Sequence, residues 1–180
     1  MTRTARAPPL PGPRPRSPPT DRSGAPRIAL GAPHERHLPV PRRTLTRAAE
    51  RAPRGVGREG GGVEILLTDD AEIRRLNRAF RGVPRRTDVL AFPLEIAEAP
   101  SGLVGQIVIS LDTARRQSRR LGVPLGLELQ LLVVHGILHL VGYDDRDPVE
   151  ADLMHQRERE ILSSAHEHLP AQLWKGLLHA

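Results

Sequence analysis

His135-Gly136-Ile137-Leu138-His139-Leu140-Val141-Gly142-Tyr143-Asp144-Asp145 sets two imidazoles four residues apart on an apolar segment and follows them with a glycine and paired carboxylates. On a helix, positions i and i+4 share a face. His135 and His139 can therefore offer nitrogens to one ion while the Leu, Ile and Val residues beside them anchor the helix in a core. Gly142 predicts the end of that helix, because glycine takes a left-handed backbone at little cost. The chain then swings back toward the His face, where Asp145 or Asp144 can supply an oxygen. Burying two imidazoles among apolar side chains costs free energy unless each polar nitrogen is bonded, and one divalent cation satisfies both. A His pair at this spacing is by itself ordinary in a core or on a surface. The apolar helix, the helix-stop glycine and the acidic turn together select a metal site.

The pattern is not the His-Glu-x-x-His of metalloproteases. Gly136 stands where that pattern carries its general-base glutamate, so peptide hydrolysis by that route is disfavoured. Two other blocks accompany the His segment: Leu76-Asn77-Arg78-Ala79-Phe80-Arg81 followed by Thr87-Asp88-Val89-Leu90-Ala91-Phe92-Pro93, and Gly105-Gln106-Ile107-Val108-Ile109-Ser110.

Taken in order, the three blocks resemble the YbeY family, bacterial metal-dependent endoribonucleases of ribosomal RNA maturation and small-subunit quality control. The His segment is similar to the family's His-Gly-x-Leu-His-Leu-x-Gly-Tyr-Asp-His at every fixed position but the last, where Asp145 stands in place of the third histidine. The second block resembles Leu-Asn-x-x-(aromatic)-Arg and Thr-Asp-Val-Leu-(small)-Phe-Pro. The third resembles Gly-Asp-Ile-x-Ile-Ser, with Gln106 where an aspartate is usual. Met154 and Glu158 begin a helix at the expected distance, and the likeness spans roughly residues 63–164.

The resemblance implies an α+β, zincin-like domain: a small mixed sheet packed with helices, with the metal at the end of the His-bearing helix. It implies a metal-dependent endoribonuclease acting in 16S rRNA maturation and small-subunit quality control. Zn2+, one per chain, would be held by His135, His139 and Asp145, and Arg81 would be the catalytic residue. Single-stranded and ribosomal RNA and the small ribosomal subunit are the implied partners. Two histidines with one carboxylate also suit iron(II) or manganese(II), and an aspartate is shorter than a histidine. Either the turn approaches the metal closely, or Asp145 acts through water while Asp144 or His155 takes the third position. Two rival readings stand beside this one: a non-catalytic ribosome-assembly factor that binds RNA through an altered metal site, and a metal-dependent hydrolase of another substrate.

A divalent ion held by three protein groups keeps a position for water, lowers that water's pKa and polarises a phosphoryl oxygen, both of which RNA hydrolysis needs. Charge growing on the phosphorane oxygens must also be offset, and a guanidinium does this through a forked pair of hydrogen bonds. Arg81 matches the family's motif arginine, and its plain alternative is a helix-end cation neutralising carbonyls. Asn77, one turn earlier, either faces the cleft or bonds locally. Thr87 and Asp88 are read as fixing the loop that brings Arg81 toward the metal. Tyr143 and Asp144 are candidates for supporting the ligands, the carboxylate by orienting an imidazole through its free N–H. His166, His168 and His179 are expected to face solvent.

Composition bounds the rest. A chain of 180 residues suits one domain with a tail, and two Phe, one Tyr and one Trp leave the core to Leu, Val, Ile and Ala. No cysteine is present, which excludes disulfides and thiolate ligands. Residues 1–62 hold 13 of the 27 basic side chains and 4 of the 21 acidic ones, so the net charge of +6 comes from the N-terminal part. Such a basic lead raises affinity for phosphate backbones without sequence preference; equally, it is translated filler. Residues 1–33, dense in Pro and Arg, are expected to form a disordered tail, residues 34–168 a single catalytic domain, and residues 169–180 a C-terminal tail. Nothing has the form of a signal peptide or membrane span, so a cytoplasmic protein is expected.

Hydrophobic periodicity predicts an edge strand near Arg27 to Leu30, a short helix from Arg42 to Arg51, and strands at Val63 to Leu67, Val89 to Pro93 and Gln106 to Ser110. Asp69 or Asp70 caps a helix whose Ile73, Leu76 and Phe80 share one buried face. Further helices are expected at Thr113 to Leu121, Leu125 to Val141 and Val149 to Ser164.

Overall fold

A computed structural model describes residues 26–30, 38–57, 62–93 and 105–177. Its four strands, β1 (Arg27–Leu30), β2 (Val63–Thr68), β3 (Val89–Pro93) and β4 (Gly105–Ser110), form one sheet in the order β1-β2-β4-β3. β1 and β4 each run parallel to β2, and β3 pairs antiparallel with β4 from Val89 opposite Ile109 to Pro93 opposite Gly105. The sheet is mixed, as expected. Both of its faces are covered, which explains why β2 and β4 read as almost continuous apolar runs rather than clean alternations.

Period-two geometry sorts those runs between two cores. Val63, Ile65, Leu67, Ile107, Ile109 and Val89 face the larger one, which they share with α1 (Arg42–Gly55), α3 (Leu111–Leu121), α4 (Leu125–Leu140) and α5 (Pro148–Ser163). Val108 and Leu90 face the other way, onto Ile73 and Leu76 of α2 (Asp70–Arg81). Asp69 caps α2 by accepting the Glu72 N–H, and Gly82 closes it with φ of 72°.

α4 is the central helix. Every residue from Leu127 to Leu138 is buried, and a helix apolar on all sides belongs inside a layer rather than on its surface. It lies on β3 and β4, with α1, α3 and α5 around it.

Four expectations need correction. Phe80 does not share the buried face of Ile73 and Leu76; it is 52% exposed. By its last turn α2 has reached the edge strand, and the ring meets Phe92 edge to face at 5.0 Å. The helix expected to stop at Arg51 runs on to Gly55, with Pro53 tolerated in its final turn. The strand Arg27–Leu30 lies inside the stretch assigned to the N-terminal tail, yet it pairs with β2 along Arg27 to Leu30. Beyond residue 168, a 3₁₀ turn at Leu173–Gly176 buries Leu173 and Leu177 against the main core. Ordered structure therefore extends past both expected domain edges, on the N-terminal side through strand pairing and on the C-terminal side through two buried apolar side chains. The expected disorder of residues 1–25 and 31–33 lies outside the described residues, as does His179.

Candidate metal centre

Two glycines set where the end of α4 lies. A Cβ on Gly136 would stand 3.0 Å from both Ile107 Cγ2 and Val89 Cγ2, so the missing side chain lets α4 settle closely onto β3 and β4. Gly142, with φ of 98° and open space around it, is required by the backbone. The Tyr143 N–H donates to the Leu138 carbonyl at 3.0 Å and the Gly142 N–H to the His139 carbonyl at 3.1 Å, the paired bonds of a left-handed helix stop. Asp147 then caps α5 through the N–H groups of Val149 and Glu150, with Pro148 as first helical residue. The turn between α4 and α5 is pinned at both ends. Asp145, in its middle, is driven inward and is only 6% exposed.

His135 Nε2 and His139 Nε2 stand 3.0 Å apart, and the Asp145 carboxylate lies 3.7 Å from the first and 3.8 Å from the second. Atoms held about 2.0–2.2 Å from a tetrahedral zinc are roughly 3.3–3.6 Å from one another, so the observed triangle brackets the size an ion demands. The opposite edge of each ring is already committed. His135 Nδ1 is 2.7 Å from Glu158 Oε1, and His139 Nδ1 is 3.0 Å from the Tyr143 carbonyl oxygen. Both partners only accept, so each Nδ1 carries the proton and, in the neutral rings, both Nε2 lone pairs face inward toward each other and toward a carboxylate. Converging lone pairs in a buried site repel unless a cation sits among them. The residues fit a divalent ion.

Burial opposes charge on His135, but the Glu158 hydrogen bond and charge outweigh it and raise the ring's pKa. His139 moves the other way, lowered by burial, then by the neighbouring His135. Burial would raise the pKa of Glu158, yet its bonds to His135 and His155 hold it below the ordinary glutamate range. Glu158 is thus an ionised, fully buried carboxylate. It accepts from His135 through one oxygen and, through the other, from His155 Nδ1 at 2.9 Å and Trp174 Nε1 at 2.7 Å.

Among the expected site residues, His135, His139 and Asp145 come together. Arg81 ends α2 close enough for its charge to depress the His139 pKa. Asn77 takes the local alternative and donates to the Arg85 carbonyl at 2.9 Å, which ties down the loop after Arg81. Thr87 and Asp88 are buried, and Asp88 Oδ1 accepts from Thr87 Oγ1 and from the Val89 N–H, fixing the start of β3. Asp144 does not orient an imidazole: it pairs with Arg146 in solvent. That part falls to Glu158, and Tyr143 contributes through its backbone carbonyl. His155 is held by Glu158 and is outside the triangle. His168 is exposed as expected, whereas His166 is partly buried and bonded to Gln130 at 3.1 Å. Gln106 donates to Glu64, its cross-strand partner, at 3.0 Å; an aspartate there would meet like charge. Glu158 and Trp174 are the residues that sequence reasoning missed. A charged residue within the buried stripe Met154, Ile161 and Leu162 of α5 was the available signal.

Comparison with known proteins places this geometry in context. The sequence model of a family described as Endoribonuclease YbeY matches residues 40–166. A protein of Anaeromyxobacter sp. named Endoribonuclease YbeY is 42% identical over 134 residues, covering 74% of this chain and 69% of that protein. One of the same name from Rhodopseudomonas palustris is 44% identical over 126 residues, 67% of this chain and 66% of that protein. The solution structure of TM1509 from Thermotoga maritima is 27% identical, with a TM-score of 0.48, covering 81% of this chain and 97% of that one.

Proposed function

The chain belongs to the YbeY family, and from that premise and the His135–His139–Asp145 triangle we propose that it is a metal-dependent endoribonuclease that hydrolyses single-stranded RNA. The observation that carries this reading is the outward donation of both Nδ1 atoms, which leaves two Nε2 lone pairs and a carboxylate aimed at one point. When bound there, a divalent ion supplies Lewis acidity toward a phosphoryl oxygen and toward water. Zinc suits the nitrogen-rich donor set, with iron(II) or manganese(II) as alternatives.

The chain's own residues do the rest. Glu158 holds the His135 ring in the tautomer that presents Nε2, and the Tyr143 carbonyl does the same for His139. Arg81 offers a guanidinium on the His139 side of the cluster, where its N–H donors offset charge growing on the phosphorane oxygens. Asn77, Thr87 and Asp88 stiffen the loop that follows Arg81, so the arginine is positioned before substrate arrives. The reading extends to ribosomal RNA, in particular 16S rRNA maturation on the small ribosomal subunit, and to a cytoplasmic protein; no helix among the described residues is long and apolar enough to cross a membrane. The Arg- and Pro-rich residues 1–25, ahead of β1, are proposed as a phosphate-binding segment.

Cleavage of an unstructured RNA oligonucleotide tests the proposal. Purified protein should cut it, lose activity in chelator and regain it on adding zinc or manganese. Full activity in chelator would refute the metal-dependent mechanism, and no cleavage with any reconstituted metal would refute the enzyme.

A further inference from the structure

α1 packs Leu45, Ala48, Ala49 and Ala52 into the main core. That fixes its rotation and commits the opposite side to water. On that side Arg43, Arg47 and Arg51 recur every four residues, so three guanidiniums stack along one stripe. Like charges at this spacing weaken a helix. Among the described residues no ion pair relieves any of the three.

The stripe forms one wall of a cleft of about 200 Å³, whose other walls include Thr44, Gln130 of α4 and His166 beyond α5. No carboxylate lines it; Glu50, on the same helix, is not part of its walls. The far wall is held in place. Gln130 donates to the Gly126 carbonyl at 3.0 Å and accepts from His166 Nε2 at 3.1 Å, which ties the end of α5 to α4. The cleft is smaller than the roughly 300–1,000 Å³ of ordinary organic-ligand pockets. Its size and donors suit a phosphate with part of a sugar.

We propose that the Arg43–Arg47–Arg51 cleft is a second RNA-binding site, which holds a backbone phosphate of the same single strand that is cut at the metal cluster. The proposal rests on the endoribonuclease reading. Gln130 precedes His135 by five residues on α4, about 7.5 Å of rise, and His166 follows Glu158 by eight residues. The cleft is therefore separate from the cluster: Gln130 also projects about 140° away from His135 around α4, so a strand held at both passes round the helix and must be longer than the few nucleotides that cover the cluster. Gripping a flanking phosphate there favours substrates longer than the few nucleotides that cover the cluster, without preference for sequence.

Fluorescence anisotropy with labelled single-stranded RNAs of three and twelve nucleotides, in chelator so that nothing is cut, tests the site. Arg43→Gln/Arg47→Gln/Arg51→Gln should weaken binding of the longer RNA on the order of tenfold and lower its salt slope by about 0.7, the value for one lost phosphate contact on a single strand. Binding of the short RNA should hardly change. Arg47→Glu alone should weaken the longer RNA in the same direction, and its melting curve checks the fold. An unchanged affinity and salt slope in the triple variant overturns the proposal. So does equal loss for both lengths, which would mean a diffuse charge effect, and so does a parent cleft that takes inorganic phosphate while the variant keeps its grip on the longer RNA. Cleavage by the parent is assayed separately, so an inactive enzyme that still shows the length-dependent loss would refute the nuclease reading and leave the RNA site standing.

Discussion

α4 carries two buried polar clusters, and they solve the same electrostatic problem in opposite ways. At its C-terminal end, His135 and His139 converge with Asp145, every Nδ1 has an acceptor, and what remains is a triangle sized for a cation. Two turns earlier, Glu128 is fully buried, and neither of its carboxylate oxygens has a hydrogen-bond partner among the described residues. Gln117 sits nearby, its amide spent on the Gly176 carbonyl and, at 3.3 Å, on Asp88 Oδ2. Burial and the Asp88 charge push the Glu128 carboxyl up to about 7, with Arg120 only partly opposing them. Converging lone pairs with supported rings can hold a metal; a lone carboxylate without donors takes a proton. Burial alone does not make a site. What distinguishes the two regions is the second layer of bonds behind the first.

Removing a converging atom should have the largest effect. His135→Ala or His139→Ala should abolish tight metal binding and, with it, RNA cleavage, because two ligands do not hold the ion against water; metal content after dialysis reports the first and a gel assay the second. Asp145→Ala should lower metal affinity about a hundredfold or more, whereas Asp145→His should retain the metal. Asp144→Ala, in solvent and paired with Arg146, should leave affinity unchanged. Arg81→Lys keeps the charge and loses the fork, so turnover should fall on the order of 10²-fold or more with RNA affinity little altered.

The supporting layer is tested by Glu158→Gln, which keeps shape but removes the acceptor charge behind His135. Metal affinity should drop about 10–100-fold while all three ligands remain. A variant that binds as tightly as the parent would show that the outer carboxylate serves only packing with His155 and Trp174.

The smallest effect concerns the second cluster. Glu128 ionises near the ordinary glutamate value of 4.5 when unfolded and at about 7 when folded. Below pH 4.5 both states hold the proton and burial carries no ionisation penalty; as pH rises toward 7 only the unfolded state releases it, so this group's contribution to stability is lost across that window. Glu128→Gln should therefore raise stability by up to about 3 kcal/mol above pH 7 and change it little at pH 4, as read from denaturant midpoints at the two pH values. A gain of equal size at both would mean that repacking, not protonation, is responsible.

These tests also mark what could be read from the chain. The grouping of His135, His139 and Asp145 was legible because its parts are local: an i, i+4 pair, a helix-stop glycine and a turn of a few residues. The strands and helix cores were legible from periodicity, and Asp69, the residue next to an apolar stripe, emerged as the α2 cap. What stayed hidden depends on contacts between distant segments. Glu158 reaches His135 from 23 positions away, and only the angle between α4 and α5 brings them together. Phe80 has the right spacing for a buried face, but the sheet ends beneath it. The docking of Leu173 and Leu177 depends on a surface built by other helices, which local composition does not encode.

Everything proposed for the site depends on one divalent ion being held by His135, His139 and Asp145 together. Anomalous diffraction at a metal absorption edge, on crystals of untagged protein, tests it most directly. One strong peak per chain is expected, about 2.0–2.2 Å from both Nε2 atoms and from an Asp145 oxygen. A fully occupied peak bound by the two histidines with the Asp145 carboxylate turned away, or no peak after soaking with zinc or manganese, would contradict it.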